Sequence, residues 1–213
     1  TLVALEKLKL AAAIVLLSPY VPLLFMGEEY SEEAPFLYFI NHHDQALVAA
    51  VRKGRKEEFA QFQWQQEPPD PQDKSTFFKS KLNWKKRKEK DNPFLLKYYT
   101  HLIKLRKNYP LLKYPAKKEN KVWLIKENKI LIQKRIREKE QFLLIACFNT
   151  SQTIFNLSHC KKYSLSEKCR WELFLDSCQK KWLGNETLAP DAFYEKDDII
   201  LKPYQFLLYR KKE

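Results

Sequence analysis

Apolar residues recur at Leu2, Leu5, Leu8, Ala12, Val15 and Leu16, while Glu6, Lys7 and Lys9 mark a wet side, so the spacing predicts a helix over residues 2–17. Its second half is apolar all round and reads as deeply packed. Ser18-Pro19 ends it, because the residue before a proline is pushed out of the helical region. Val21 to Met26 then runs without interruption into Gly27, Glu28 and Glu29. That pattern predicts a strand buried on both faces that ends at a working surface. Gly27 permits a sharp exit of the backbone. Helix, short turn, apolar strand and loop make half of a βα repeat, and parallel α/β folds keep their chemistry at the carboxyl ends of strands.

Beyond a long acidic and then aromatic loop (27–43), Gln45 to Phe62 reads as an amphipathic helix with Leu47, Val48, Val51, Phe59 and Phe62 on its packed side. Residues 63–93, with Pro68, Pro69, Pro71 and Pro93, predict an irregular connector with a turn near Ser80 to Trp84. Asn92-Pro93 is a helix start, with a capping residue before a proline in first position, and Phe94 to Asn108 carries the helical pattern up to Pro110. After Ala116 the period changes to two. Val122–Ile125, Ile130–Ile136, Phe142–Phe148, Thr153–Leu157, Trp171–Leu175, Ile199–Leu201 and Gln205–Tyr209 are seven short strand-like runs. Such a series without helices points to an antiparallel β-sandwich, with a boundary near residue 116.

The chain has 213 residues, 45% hydrophobic and 14% aromatic, which is enough apolar material for a sizeable core. It opens on Thr1 in mid-helix, so a piece of a longer protein is expected. The net charge of +13 is spread along the chain. Its densest run, Lys79 to Lys90, is interrupted by Glu89 and reads as a solvated loop rather than a nucleic-acid patch. The four cysteines form no CxxC pair and have no zinc-ligand spacing with the histidines, so neither a metal nor a cofactor is predicted. Leu10 to Gly27 is uncharged, but Pro19 and Pro22 interrupt it, and a buried helix plus strand explains it better than a membrane span. A cytoplasmic protein with free thiols is the expectation.

Pro22-Leu23-Leu24-Phe25-Met26-Gly27-Glu28-Glu29-Tyr30 resembles the end of the eighth barrel strand of α-amylase-class glycoside hydrolases. The continuation is more selective. Pro35-Phe36-Leu37-Tyr38-Phe39, His42, Gly54-Arg55-Lys56-Glu57-Glu58-Phe59, Pro69-Asp70-Pro71-Gln72-Asp73, Thr76-Phe77, Ser80-Lys81-Leu82 and Trp84 resemble, in that order, the malto-oligosyltrehalose trehalohydrolases. The resemblance implies the C-terminal fragment of a (β/α)8 barrel over residues 1–115, with its last strand and outer helices, followed by a β-sandwich over residues 116–213. It implies an enzyme that cuts trehalose from the end of a maltooligosyl-trehalose through two carboxyl groups flanking the glycosidic bond. The family's catalytic carboxylates precede this strand, so no residue here matches them, and the isolated chain is expected to be inactive. The implied partners are a maltooligosaccharide-type substrate and the missing N-terminal part of the barrel. Where the family usually carries an aspartate before His42, this chain has Asn41.

Glu28 and Glu29, adjacent on an extended segment, face opposite sides and do not suit one bond together. Glu28 reads as a group that orients an arginine or a backbone amide near the site, and Glu29 as its companion or a turn cap. Tyr30, Phe36, Tyr38 and Phe39 offer ring faces to a sugar, with Phe36 and Phe39 expected to face differently from Tyr38; the plain alternative is packing of the loop. His42 is a candidate for a sugar hydroxyl. Arg55, with Arg52, is placed to clamp the acidic loop Glu28 to Glu33. Trp64 and Trp84 are expected to anchor the connector, and Trp123, Trp171 and Trp182 to pack the β region. Two rival readings remain: a glycogen-branching-type glucan transferase tail and a non-catalytic carbohydrate-binding or scaffold module. A nucleic-acid binder using Lys79 to Lys90 is a third.

Overall fold

The computed structural model describes residues 3–61, 68–157, 169–194 and 196–212. Trp64, Phe62 and Cys160, which figure in the sequence reading, lie outside them. The helices are α1 (Leu5–Leu16), α2 (Gln45–Gln61), α3 (Lys74–Ser80), α4 (Asn92–Asn108) and α5 (Pro110–Lys113). The strands are β1 (Asn120–Ile125), β2 (Ile130–Arg137), β3 (Glu140–Cys147), β4 (Thr153–Asn156), β5 (Arg170–Asp176), β6 (Ala192–Tyr194), β7 (Asp198–Leu201) and β8 (Phe206–Lys211). Two compact units divide the chain: Thr1–Tyr30 with Arg87–Glu213, and Ser31–Lys86.

In the first unit an antiparallel sheet runs in the order β1-β2-β3-β8-β5-β6, and β4 pairs with β7 in a separate ribbon. The two-residue period explains how the layers form. Phe142, Leu144 and Ala146 of β3, with Phe206 and Leu208 of β8, face a core shared with Leu10, Ala13 and Leu16 of α1, Leu102 of α4 and Leu112 of α5. Leu143, Ile145 and Cys147, with Leu207 and Tyr209, face the opposite way onto Phe155, Ile199 and Leu201 of the ribbon. The central strands are therefore buried on both sides, which is why they are apolar at nearly every position. At the edge, β1 leaves Val122 and Leu124 exposed. Strand β6 is three residues long and was missed by periodicity, which needs more positions than that to register.

Buried cations tie helices to this sheet. Arg106 of α4 donates to the carbonyls of Leu16 at 2.8 Å, Ser18 at 2.6 Å and Tyr20 at 2.7 Å. Arg135 of β2 is completely buried and donates to the carbonyls of Leu112 and Leu17. The last carbonyls of a helix have no partner within it and carry the negative end of its dipole, so a guanidinium satisfies both needs. Burial pushes Arg135 down to about 10. Lys9 of α1, also buried, donates to the carbonyls of Ser177 at 2.8 Å and Trp182 at 3.1 Å.

The segment Val21 to Met26 is not the predicted buried strand. It belongs to no ladder and turns at Met26, with Val21 85% and Leu23 91% exposed. A strand exists as a partner in a ladder, and among the described residues the sheets are assembled from other segments. Its two ends are nevertheless held, by Arg106 at the Tyr20 carbonyl and by Glu28 at the Phe25 amide.

Smaller differences have equally local causes. On α2, Val48 is buried but Leu47 is exposed, so the packed stripe is narrower than the pattern implied. The connector contains α3, whose Asp73 caps the helix by accepting from the Ser75 amide, and a 3-10 turn over Trp84–Lys88. Helix α4 includes Asn92 as its first residue, so Asp91 occupies the cap position without a side-chain bond. Trp171 and Trp182 are buried and Trp123 is partly buried, whereas Trp84 is 56% exposed. Cys147, Cys169 and Cys178 are free and buried.

A 3-10 turn over Lys117–Glu119 leads into β1. Glu119 accepts from the Ala116 amide at 2.6 Å and from Arg137 at 2.9 and 2.8 Å. The Arg137 bonds, then the Ala116 amide, hold its carboxyl down at about 2, against an ordinary 4.5. A carboxyl with a lowered folded-state pKa stabilises the fold fully above its ordinary value and loses that effect as pH falls toward the depressed one. Glu119→Gln is therefore expected to lower the urea midpoint at neutral pH and to flatten its fall between pH 4.5 and pH 2. An unchanged acid profile in the variant refutes this assignment.

Candidate functional site

In the first unit the candidate residues sit on a turn rather than at a strand end. Gly27 has φ of 88°, a left-handed geometry that side chains resist. Glu28–Tyr30 continues as a 3-10 turn. Adjacent residues there diverge by about 120°, so Glu28 and Glu29 are not arrayed on an extended segment, yet they still do not converge. Glu28 is fully engaged. One oxygen accepts from the Phe25 amide at 3.0 Å and the other from the Tyr99 hydroxyl at 3.1 Å. Burial, then the charge of Glu28, push the Tyr99 phenol well above its ordinary value. Glu29 is half-buried, and Tyr30 is completely buried and presents no ring face to solvent. Tyr99 carries no signal in the sequence beyond a helical apolar position, because its partner lies 71 residues away.

In the second unit the aromatic loop is laid between α2 and α3. The Leu37 amide donates to Ser80 Oγ at 3.1 Å and the Ile40 amide to the Pro71 carbonyl at 2.8 Å. Glu32 accepts from the amides of Glu33, Ala34 and Asn83, and Lys86 pairs with Glu33 at 2.7 Å. The arginines expected to clamp the acidic loop pair elsewhere. Arg55 pairs with Glu58 of its own helix, and Arg52 makes a two-pronged pair with Asp70 at 2.9 and 2.7 Å. The Arg52 bonds hold the Asp70 carboxyl below its ordinary range.

The aromatic loop divides its rings between two clefts. Phe36 and Tyr38 line a cleft of about 490 Å³ together with Arg55, Glu58 and Phe59. Arg55 lies 5.0 Å from the ring centres of both Tyr38 and Phe59. Phe39 lines a different cleft, of about 540 Å³, with Asn41, Gln72, Phe77 and Phe78. Phe36 thus shares a cleft with Tyr38, contrary to expectation, while Phe39 lines a different one. His42 is exposed, and its backbone, not its imidazole, is held by Gln72. The structure therefore joins Phe36 with Arg55, and Glu28 with Tyr99. Phe77 and Phe78 were missed as site candidates. The available signal was two adjacent rings on a helix of seven residues, which cannot both turn inward.

Among the described residues no three acidic, histidine or cysteine side chains are grouped to hold a metal ion. No helix of the described residues is long and apolar enough to cross a membrane.

No family model matches the chain. Curated relatives do. A malto-oligosyltrehalose trehalohydrolase from Saccharolobus solfataricus is 47% identical over 110 residues, covering 52% of this chain and 18% of the relative. One from Arthrobacter ramosus is 43% identical over 106 residues, covering 49% of this chain and 18% of the relative. Among solved structures, a protein of Salmonella typhimurium assigned as an alpha amylase matches with a TM-score of 0.71 and 27% identity, covering 97% of this chain and 31% of that one. The chain thus spans under a fifth of the curated relatives' length. Over about half of itself it is similar to proteins named malto-oligosyltrehalose trehalohydrolase, and over nearly all of itself, a fold of mixed helices and antiparallel sheet, to an α-amylase-family structure.

Proposed function

We propose that this chain is the C-terminal part of a glycoside hydrolase that releases trehalose from maltooligosyl-trehalose by cleaving an α-1,4-glucosidic bond. The observation that carries the reading is the shared name of seven relatives, 40% to 47% identical over about half of the chain. In this reading residues 1–115 supply the last strand and outer helices of a (β/α)8 barrel, residues 116–213 form a C-terminal β-sandwich, and the protein works in the cytoplasm. Val21 to Met26 becomes a barrel strand once flanking strands are present. Its two anchored ends and its exposed apolar side chains support this.

Hydrolysis of a glycosidic bond needs one carboxyl to protonate the leaving oxygen and another to act as nucleophile or base across the sugar. Three carboxylates of the Gly27 turn and aromatic loop are put to other uses. Glu28 holds a backbone amide and a phenol, Glu32 holds three amides, and Glu33 pairs with Lys86. Their work is positioning: Glu28 sets the turn that follows the strand, and Glu32 sets the path of the aromatic loop. The proton transfers belong to the rest of the enzyme.

The isolated chain is expected to release no trehalose from maltooligosyl-trehalose. A chimera of the Saccharolobus solfataricus relative carrying the matching segment of this chain is expected to release it. Trehalose release by the isolated chain overturns the division of labour. A folded chimera that yields transferred, branched glucans instead of trehalose supports the transferase reading in its place.

A further inference from the structure

The second cleft of the Ser31–Lys86 unit combines ring faces with polar groups of a particular kind. Phe39, Phe77 and Phe78 are 40%, 43% and 62% exposed. Phe39 meets Phe77 edge to face at 5.2 Å, and Phe77 meets Phe78 at 5.4 Å, so the rings brace one another. Three exposed rings in one patch are an unusual arrangement for a surface that serves only solubility. The space beside them, about 540 Å³, falls within the size range of small-molecule sites.

The rim supplies donors and acceptors without a net charge requirement. Gln72 donates from Nε2 to the His42 carbonyl at 3.0 Å and accepts at Oε1 from the His42 amide at 3.3 Å. That pair fixes the carboxamide and leaves its second N–H and second lone pair available. Asn41 and Lys74 line the same cleft and add an amide and an ammonium. Flat apolar rings beside fixed amides match the chemistry of a pyranose, which presents C–H faces and a girdle of hydroxyls that both donate and accept. An anion meets the Asp73 carboxylate beside the one cation here, and an apolar peptide finds amides it leaves unsatisfied.

We propose that the cleft formed by Phe39, Asn41, Gln72, Lys74, Phe77 and Phe78 is a holding site for an α-linked glucan, with Phe78 as its principal platform. The proposal rests on the reading that the parent enzyme acts on a maltooligosaccharide, and it adds that this chain grips the glucan by itself. The most exposed ring is the one whose removal costs the fold least, so Phe78→Ser separates binding from folding.

Calorimetric titration of the 213-residue chain with maltoheptaose tests it, with far-UV circular dichroism confirming that each variant is folded. Saturable binding is expected, weakened about tenfold or more by Phe78→Ser and by Phe77→Ser, as for one central ring of a recognition site. Ile154→Ser, at an exposed position of β4, is expected to bind like the parent. Equal affinity in the parent and in folded Phe77→Ser and Phe78→Ser overturns the cleft while leaving the glucan reading standing. So does absence of maltoheptaose binding while the trehalohydrolase chimera still releases trehalose. Absence of both overturns the glucan reading itself. Concentration-dependent dimerisation that Phe78→Ser abolishes, without glucan binding, assigns the patch to a protein contact and overturns the proposal.

Discussion

Gly184→Ala is expected to cost at least about 3 kcal/mol, the upper end of what overpacking does to a folded chain. A Cβ at this position lies 1.9 Å from the Cys178 carbonyl oxygen, 2.1 Å from its carbonyl carbon and 2.5 Å from its Cα. These are backbone atoms, which cannot rotate aside as a flexible side chain can. The turn between them is closed by several bonds. The Trp182 and Gly184 amides both donate to the Gln179 carbonyl, at 2.9 and 3.1 Å, and Leu183 takes a left-handed φ of 57°. Opening the turn moves Trp182, whose carbonyl accepts from buried Lys9 and whose ring packs on Tyr98 at 5.2 Å and His101 at 5.3 Å. Displacing one carbonyl of the Lys9 pair therefore adds the cost of an under-solvated ammonium to the steric one. Urea unfolding checks the expectation. Gly54→Ala is the control of opposite sign: nothing lies within 4 Å of its added Cβ, and the site is in the interior of α2. A gain there of about 0.5–1 kcal/mol is expected. A Gly184→Ala midpoint equal to that of the parent contradicts the close approach.

Arg135→Met is the second large effect, expected at about 3–5 kcal/mol. The guanidinium is completely buried and donates to carbonyls at the ends of two helices, Leu17 after α1 and Leu112 in α5. Methionine replaces the volume but leaves those carbonyls dry and without donors, each costing about 1–3 kcal/mol. Arg106 supports the same corner through Leu16, Ser18 and Tyr20, and it cannot reach further without releasing one of them. Arg135→Lys is expected to recover only part of the loss, since an ammonium lacks the planar fork of donors that spans the Leu17 and Leu112 carbonyls from two separate nitrogens. Urea midpoints at neutral pH measure all three proteins. A Met variant as stable as the parent shows that the carbonyls find other donors and refutes the corner's dependence on Arg135.

Both variants act on contacts that no local pattern announces. Arg135 stands in the run Ile130-Leu131-Ile132-Gln133-Lys134-Arg135, where alternation puts Ile130 and Ile132 toward the ribbon and its own side chain toward the helices. A charge at an inward position looks like an error until the helix ends facing it are known, and the Leu17 carbonyl comes from 118 residues away. Lys9 is the same case. It reads as the wet side of α1, yet the loop around Trp182 closes over it, 173 residues later in the chain. Glu28 was legible as a group that holds something, and an amide three residues back is what it holds; its second partner, Tyr99, was not legible.

The sequence by itself determined the helical stretches α1, α2 and α4 and seven of the eight strands, because period, proline and turn residues act over a few neighbouring positions. It also carried the resemblance that the relatives repeat. Tertiary structure alone decided which charges are buried, how the aromatic loop shares its rings between two clefts, and that Val21 to Met26 lies outside any ladder. The physical reason is common to all three. Burial, cleft and ladder are properties of pairs of distant segments, and a segment's own residues state only what it can do once such a partner is beside it.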